Sequence, residues 1–102
     1  MKTLPAFFDT DVDTVLEFEL TTLGDFDLNG AVGELHVTRF PNQPGGAEEG
    51  DPRPVTMYTN VASYSVVAGE FPAGRYSAQV RLTNGYVTVN SEVFRLVVDA
   101  SV

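Results

Sequence analysis

The residues best suited to chemistry in this sequence are oxygen donors gathered in one short turn. Asp25, Asp27 and Asn29 stand at alternate positions, and Gly30 follows. Oxygen side chains at that spacing with a glycine behind them match the first half of a calcium-binding loop, D-x-D-x-[DN]-G, which wraps a hard cation. The match then breaks. The closing position falls on His36, where a bidentate glutamate belongs, and Glu34 comes too early. The same residues also suit a plain turn, in which Asp and Asn side chains bond their own backbone. No metal is favoured, and Asp25, Asp27 and Asn29 remain the calcium candidates, which leaves a calcium-stiffened adhesion-type domain as one alternative function.

Other chemistries lack their parts. Acyl transfer needs a nucleophile, a base and an orienting group. The chain has a single histidine, His36, and no cysteine. His36 falls in a strand pattern, where a surface position beside Glu34 is expected. A phosphate cradle needs glycines between a strand and a helix. Gly45-Gly46 lies instead in an acidic, proline-rich stretch. Glycoside hydrolysis needs two carboxylates across a cleft, and pairs among so many acids arise by chance. Tryptophan is absent, which removes the usual sugar-stacking platform, although Tyr58, Tyr64 and Tyr86 could serve. The expectation is a protein that is not an enzyme and takes no cofactor.

Composition narrows the partners. A chain of 102 residues makes one domain, and a domain of that size buries roughly 65% of its unfolded surface, enough for a core without staples. The net charge is −8, a field that repels nucleic acid and anionic membranes. The acids are concentrated early. Asp9, Asp11, Asp13, Glu17, Glu19, Asp25, Asp27 and Glu34 face only Lys2 within the first 34 residues. This is either a solvated acidic edge or a docking face for a basic partner. The N-terminus has no long apolar region and no cleavage site, so no signal peptide is expected.

These side chains must be positioned by strands. Leu16, Phe18 and Leu20 alternate with Glu17 and Glu19, the period-two pattern of a half-buried strand. Ala31, Gly33, Leu35 and Val37 mark the inner face of the next strand, with His36 outside. Ala62, Tyr64 and Val66 mark a later one. Tyr76, Ala78, Val80 and Leu82 lead into Asn84-Gly85, and a second run ends in Phe94, Leu96 and Val98. Asn-Gly between alternating runs predicts a hairpin with a type I′ turn. Residues 1–13 read as an N-terminal arm and 14–102 as the domain, with a long Pro/Gly-rich loop at 41–54. Phe7 and Phe8 in that arm either fold back as a short edge strand or anchor in a neighbouring subunit. The pattern predicts an all-β, immunoglobulin-like antiparallel sandwich of about seven strands. Tyr76, in a Gly-x-Tyr that opens a strand, suits a tyrosine corner.

Four segments carry a resemblance. They are Leu16-Glu17-Phe18-Glu19-Leu20, Asp27-Leu28-Asn29-Gly30-Ala31, the Pro-x-Gly-x-Tyr-x-Ala-x-Val run from Pro72 to Val80, and Ser-x-x-Phe-x-Leu-x-Val from Ser91 to Val98. In that order residues 14–99 resemble the immunoglobulin-like N-terminal domain of phage upper-baseplate proteins and related small phage virion proteins. The family domain is usually followed by a long helical or fibrous extension, and this sequence ends at Val102. The resemblance therefore implies a stand-alone accessory protein of a bacteriophage virion: a tail or baseplate adaptor, or a capsid decoration. It would be made in the host cytoplasm and act by protein-protein contact. Its partners would be other virion proteins or copies of itself in a symmetric oligomer, with no nucleic acid and no membrane. The implied contact residues are Phe7, Phe8, Pro44, Gly45, Gly46 and Arg53.

Overall fold

The computed structural model describes residues 2–21, 23–39 and 50–101, and every helix or strand among them is a strand. They are β1 (Lys2–Thr3), β2 (Phe7–Phe8), β3 (Thr14–Glu19), β4 (Val32–Arg39), β5 (Arg53–Tyr58), β6 (Val61–Val66), β7 (Gly74–Asn84), β8 (Val87–Asn90) and β9 (Phe94–Asp99). The all-β class follows from the alternation. Leu16, Phe18, Tyr76, Ala78, Val80, Leu82, Phe94, Leu96 and Val98 are all buried. The strands form one mixed, curled sheet, a half-barrel, in the order β1-β9-β7-β4-β5-β6-β3. β2 also lies on β9, and β8 on β7. Phe18 from one limb of the curl meets Phe94 from the other edge-on, with ring centroids 5.0 Å apart.

β5 makes the curl. Arg53, Pro54 and Val55 pair with β4, and Thr56, Met57 and Tyr58 pair with β6. Tyr58 and Val61 flank a two-residue turn, so the even residues of β5 direct their backbone groups toward β6. Pro54 is the next even residue and has no N–H to give. The β6 ladder ends at Thr56 for that reason. The sequence reading placed Pro54 in the long loop, whereas β5 already begins at Arg53.

β8 and β9 lie along the same side of β7 and are separated by a bulge. Arg81 pairs with Asn90 and Ala78 with Phe94, so Gln79 and Val80 face three residues, 91–93. The Ser91 hydroxyl fills the break by accepting from Val80 N–H at 3.0 Å. The hairpin between β7 and β8 differs from the expected one. Asn84 pairs with Val87, leaving Gly85-Tyr86 as the turn, and of these two only Gly85 has positive φ, 63°. That is the requirement of a type II′ turn, not I′.

Of the two alternatives for Phe7 and Phe8, folding back as an edge strand is the one seen: β1 and β2 add to β9 in parallel. One further expectation changes. His36 is not a surface residue; it is buried along with Thr38 and Ser77. On β7, Gln79 lies opposite His36 and Ser77 opposite Thr38, whereas β5 pairs with β4 only from Gly33 to Leu35.

The inside of the bend is tight. A Cβ on Gly33 would sit 2.7 Å from Val55 Cγ2 and 3.1 Å from Leu82 Cδ2. Gly33→Ala is therefore expected to destabilise the protein by about 1–3 kcal/mol, the usual range for overpacking. Denaturant unfolding measures it, and an unchanged midpoint would show that β5 can move away from β4 at no cost.

Candidate functional site

One end of the half-barrel gathers three connections: the turn at 23–31, the β5–β6 turn Thr59-Asn60, and the β7–β8 turn Gly85-Tyr86. Register places them together. Val32 at the start of β4 pairs with Thr83, next to the hairpin, and Met57 and Thr59 border a hollow with Leu28 to Ala31. Hydrogen bonds fix the group. Asn84 Nδ2 donates to the carbonyls of Asp27 at 2.8 Å and Asn29 at 3.1 Å. Asn29 N–H donates to Asp27 Oδ1 at 3.0 Å. Asn60 Nδ2 donates to the Leu20 carbonyl at 3.3 Å. Leu23, Phe26 and Leu28 pack their side chains against the core beneath.

The fixed turns carry exposed apolar surface. Tyr86 at the hairpin tip is fully exposed and Tyr58 is 78% exposed, with Val32 and Val87 also open to solvent. Two hollows lie beside them. One of about 270 Å³ is lined by Asp25, Phe26, Asp27, Asn84 and Val87, and one of about 450 Å³ by residues 28–31, Met57 and Thr59. Aromatic rings on rigid turns supply contact area at little entropic cost. Sequence had marked Tyr58 and Tyr86 only as possible sugar platforms. Val32 and Val87 went unmarked because isolated valines carry no local signal.

The calcium candidates fall in this same end, and some of their oxygens take part in the turn. Asp27 Oδ1 and the Asp27 and Asn29 carbonyls all accept internal hydrogen bonds. No group of three or more His, Cys, Asp or Glu side chains able to hold a metal occurs among the described residues. The Asn29 N–H bond to Asp27 Oδ1 is of the kind the turn reading expects.

The contact residues implied by the resemblance scatter. Phe7 is buried in the protein's own core and Phe8 is half exposed. Pro44, Gly45 and Gly46 lie outside the described residues. Arg53 is committed internally. Its Nε pairs with Glu70 Oε2 at 2.6 Å, and its guanidinium carbon lies 4.6 Å from the centre of the Phe71 ring. The Tyr64 hydroxyl donates to the same Glu70 oxygen, and Val67 N–H donates to Oε1 at 2.9 Å. Tyr76 closes a corner close by. Its hydroxyl donates to the Pro72 carbonyl, and its ring lies 5.5 Å from Phe71.

Partial burial alone would raise the Glu70 pKa. The bonds from Tyr64, Val67 and Arg53 outweigh it and hold the pKa below the ordinary carboxylate value. Burial, then the adjoining Glu70 carboxylate, push the Tyr64 pKa up. A depressed carboxylate stabilises the fold above its unfolded pKa of about 4.3, and that contribution is lost as pH falls through the folded value. Unfolding free energy is thus expected to drop on acidification below that point, with a shallower slope in Glu70→Gln. Equal slopes in the two proteins would assign the acid sensitivity elsewhere.

Thr59 has φ of +50°, an outlier for a β-branched residue. Thr59→Gly is expected to stabilise the protein by about 1 kcal/mol by relieving that backbone. Thermal melting checks it, and a loss of stability would mean that the threonine side chain outweighs the strain. Compared with protein-family models and with curated proteins, the chain matches none.

Proposed function

We propose that this chain is a non-enzymatic scaffold that works by contact with other proteins, as an accessory protein of a phage virion does. The observation that carries the contact reading is the loop end. Tyr58, Tyr86, Val32 and Val87 are exposed there, at and beside turns that Asn84 holds to Asp27 and Asn29 and that Asn60 holds to Leu20. Exposed apolar side chains on fixed turns suit an interface. The phage assignment rests on the resemblance of residues 14–99.

The immunoglobulin-like reading of the fold has support in the pairing. β4, β7 and β9 lie side by side, as strands C, F and G do in such a sandwich, and β3 pairs with β6 as B does with E. β1 with β2, and β8 with β9, each follow one edge of a neighbour and count as two interrupted strands, which gives the seven of that fold. The Tyr76–Pro72 bond has the form of a tyrosine corner at the start of strand F.

The same two tyrosines favour a second reading, a glycan- or surface-binding module, because exposed rings can stack on sugars. One pair of measurements separates the two. Light scattering gives the solution mass of the protein and of a Tyr58→Ser/Tyr86→Ser double variant, and a glycan array is probed with both. An oligomer that the double variant disperses, with melting unchanged, supports contact between copies. Sugar binding lost in the double variant would overturn the protein-contact reading in favour of carbohydrate. A monomer that binds no sugar restricts the reading to attachment on a preformed shell.

A further inference from the structure

A second surface lies along the seam of the half-barrel, on the open side of β3. β3 pairs with β6 from Thr14↔Val66 to Glu19↔Val61, and among the described residues no strand occupies its other side. Backbone groups in an antiparallel ladder alternate between the two neighbours. Leu20 N–H donates to the Asn60 carbonyl at 2.8 Å, toward β6. The even residues of β3 therefore face β6, and Val15, Glu17 and Glu19 direct their N–H and C=O groups to the open side. Thr21 follows the same alternation. Its N–H and hydroxyl both reach outward to the Glu92 carboxylate, the hydroxyl at 2.6 Å.

The seam is bridged at both ends and open between. Thr21–Glu92 closes one end, and Gly69 N–H donating to the Asp9 carbonyl at 2.8 Å closes the other. Between them a groove of about 230 Å³ runs between Leu4 to Phe7 on one bank and Thr14 to Glu17 on the other. Proteins usually blunt such an edge with proline, lysine or a bulge. β3 has neither proline nor lysine, and its six residues pair with β6 without interruption. Its outer face offers Val15, 52% exposed, followed by Glu17 and Glu19.

We propose that this seam takes up an extended segment of another protein as an added strand on β3, a segment in which apolar or β-branched residues alternate with Lys or Arg. Strand addition supplies backbone hydrogen bonds, and the side chains opposite set specificity. An apolar residue suits Val15, and cations suit Glu17 and Glu19, because opposite charges across a ladder attract and like charges repel. A second copy of β3 is the wrong occupant. Antiparallel pairing of two such edges sets carboxylate against carboxylate, between chains of net charge −8 each. The inference rests on the reading of the chain as a protein-contact scaffold and adds a surface to it.

The probe is a short synthetic peptide alternating Lys with Val and Thr, beside a control with Glu for each Lys. Binding is followed by fluorescence anisotropy, and backbone protection by amide hydrogen exchange. The lysine peptide is expected to bind saturably and slow exchange at Val15, Glu17 and Glu19. Glu17→Lys/Glu19→Lys should weaken it by roughly tenfold and admit the glutamate peptide, as two reversed cross-strand pairs require. Glu17→Pro gives up an N–H that β6 does not use, so it should fold and yet lose the protection. The Tyr58→Ser/Tyr86→Ser double variant should bind the peptide like the parent protein, which separates this surface from the loop end. Absent binding, protection at other strands, or binding unchanged in Glu17→Lys/Glu19→Lys would each overturn the proposal.

Discussion

The structure depends on β5, the strand through which the β1-β9-β7-β4 limb joins the β6-β3 limb. β5 gives its first half to β4 and its second half to β6. The two ladders occupy successive halves of the strand, and it is there that the sheet curls over and encloses an interior. Pro54 sets the point of change by withholding a donor from β6. Gly33 permits it by leaving room where Val55 and Leu82 close in. Phe18 can meet Phe94 only because of that bend, since β3 and β9 lie far apart in the strand order.

The same strand holds the connection that returns the chain from β6 to β7. Arg53 at the head of β5 grips Glu70 and lies over Phe71. Tyr64 on β6 shares the carboxylate. Arg39 at the end of β4 donates to the Ala73 carbonyl at 2.9 Å and lies 5.4 Å from the Tyr76 ring centre. Each such contact is worth about 1 kcal/mol when partly exposed. Together they fix both ends of the loop and offset the conformational entropy that it loses on ordering. The arginine that sequence assigned to a partner is used inside the protein because its carboxylate and aromatic neighbours come from segments far along the chain.

Legibility in the sequence followed the range of the interaction. β3, β7 and β9 were readable because alternation is local, and so was a turn near Asn84-Gly85. The turn type was not, because Asn84 is drawn into the strand and its amide spent on Asp27 and Asn29, a contact across 55 residues and more. The one-residue bulge at 91–93 leaves no composition signal, since it arises where Ser91 replaces a backbone partner of Val80. His36 and Thr38 read as surface because alternate polar residues normally are. Their burial, opposite Gln79 and Ser77 of β7, depends on tertiary packing that the local pattern does not carry. At the candidate site the acids and tyrosines could be read one by one, whereas their grouping at one end required the register of β4, β5 and β7.

The early concentration of acid acquires a physical purpose beside the open seam. An unblunted edge strand invites pairing with its own kind, which ends in aggregation. Inward-pointing charge or an edge proline would prevent that by spoiling the strand for every partner. Glu17 and Glu19 instead carry their charge on the outer face and leave the backbone groups of β3 regular. Repulsion of that kind discriminates: it opposes a second copy, whose edge carries the same acids, and favours a strand that brings cations. The cost to the isolated protein is small, because exposed like charges on one strand are screened by solvent and salt. An edge protected by charge alone keeps its hydrogen-bonding capacity for a partner of opposite sign, and proline would have removed that capacity altogether.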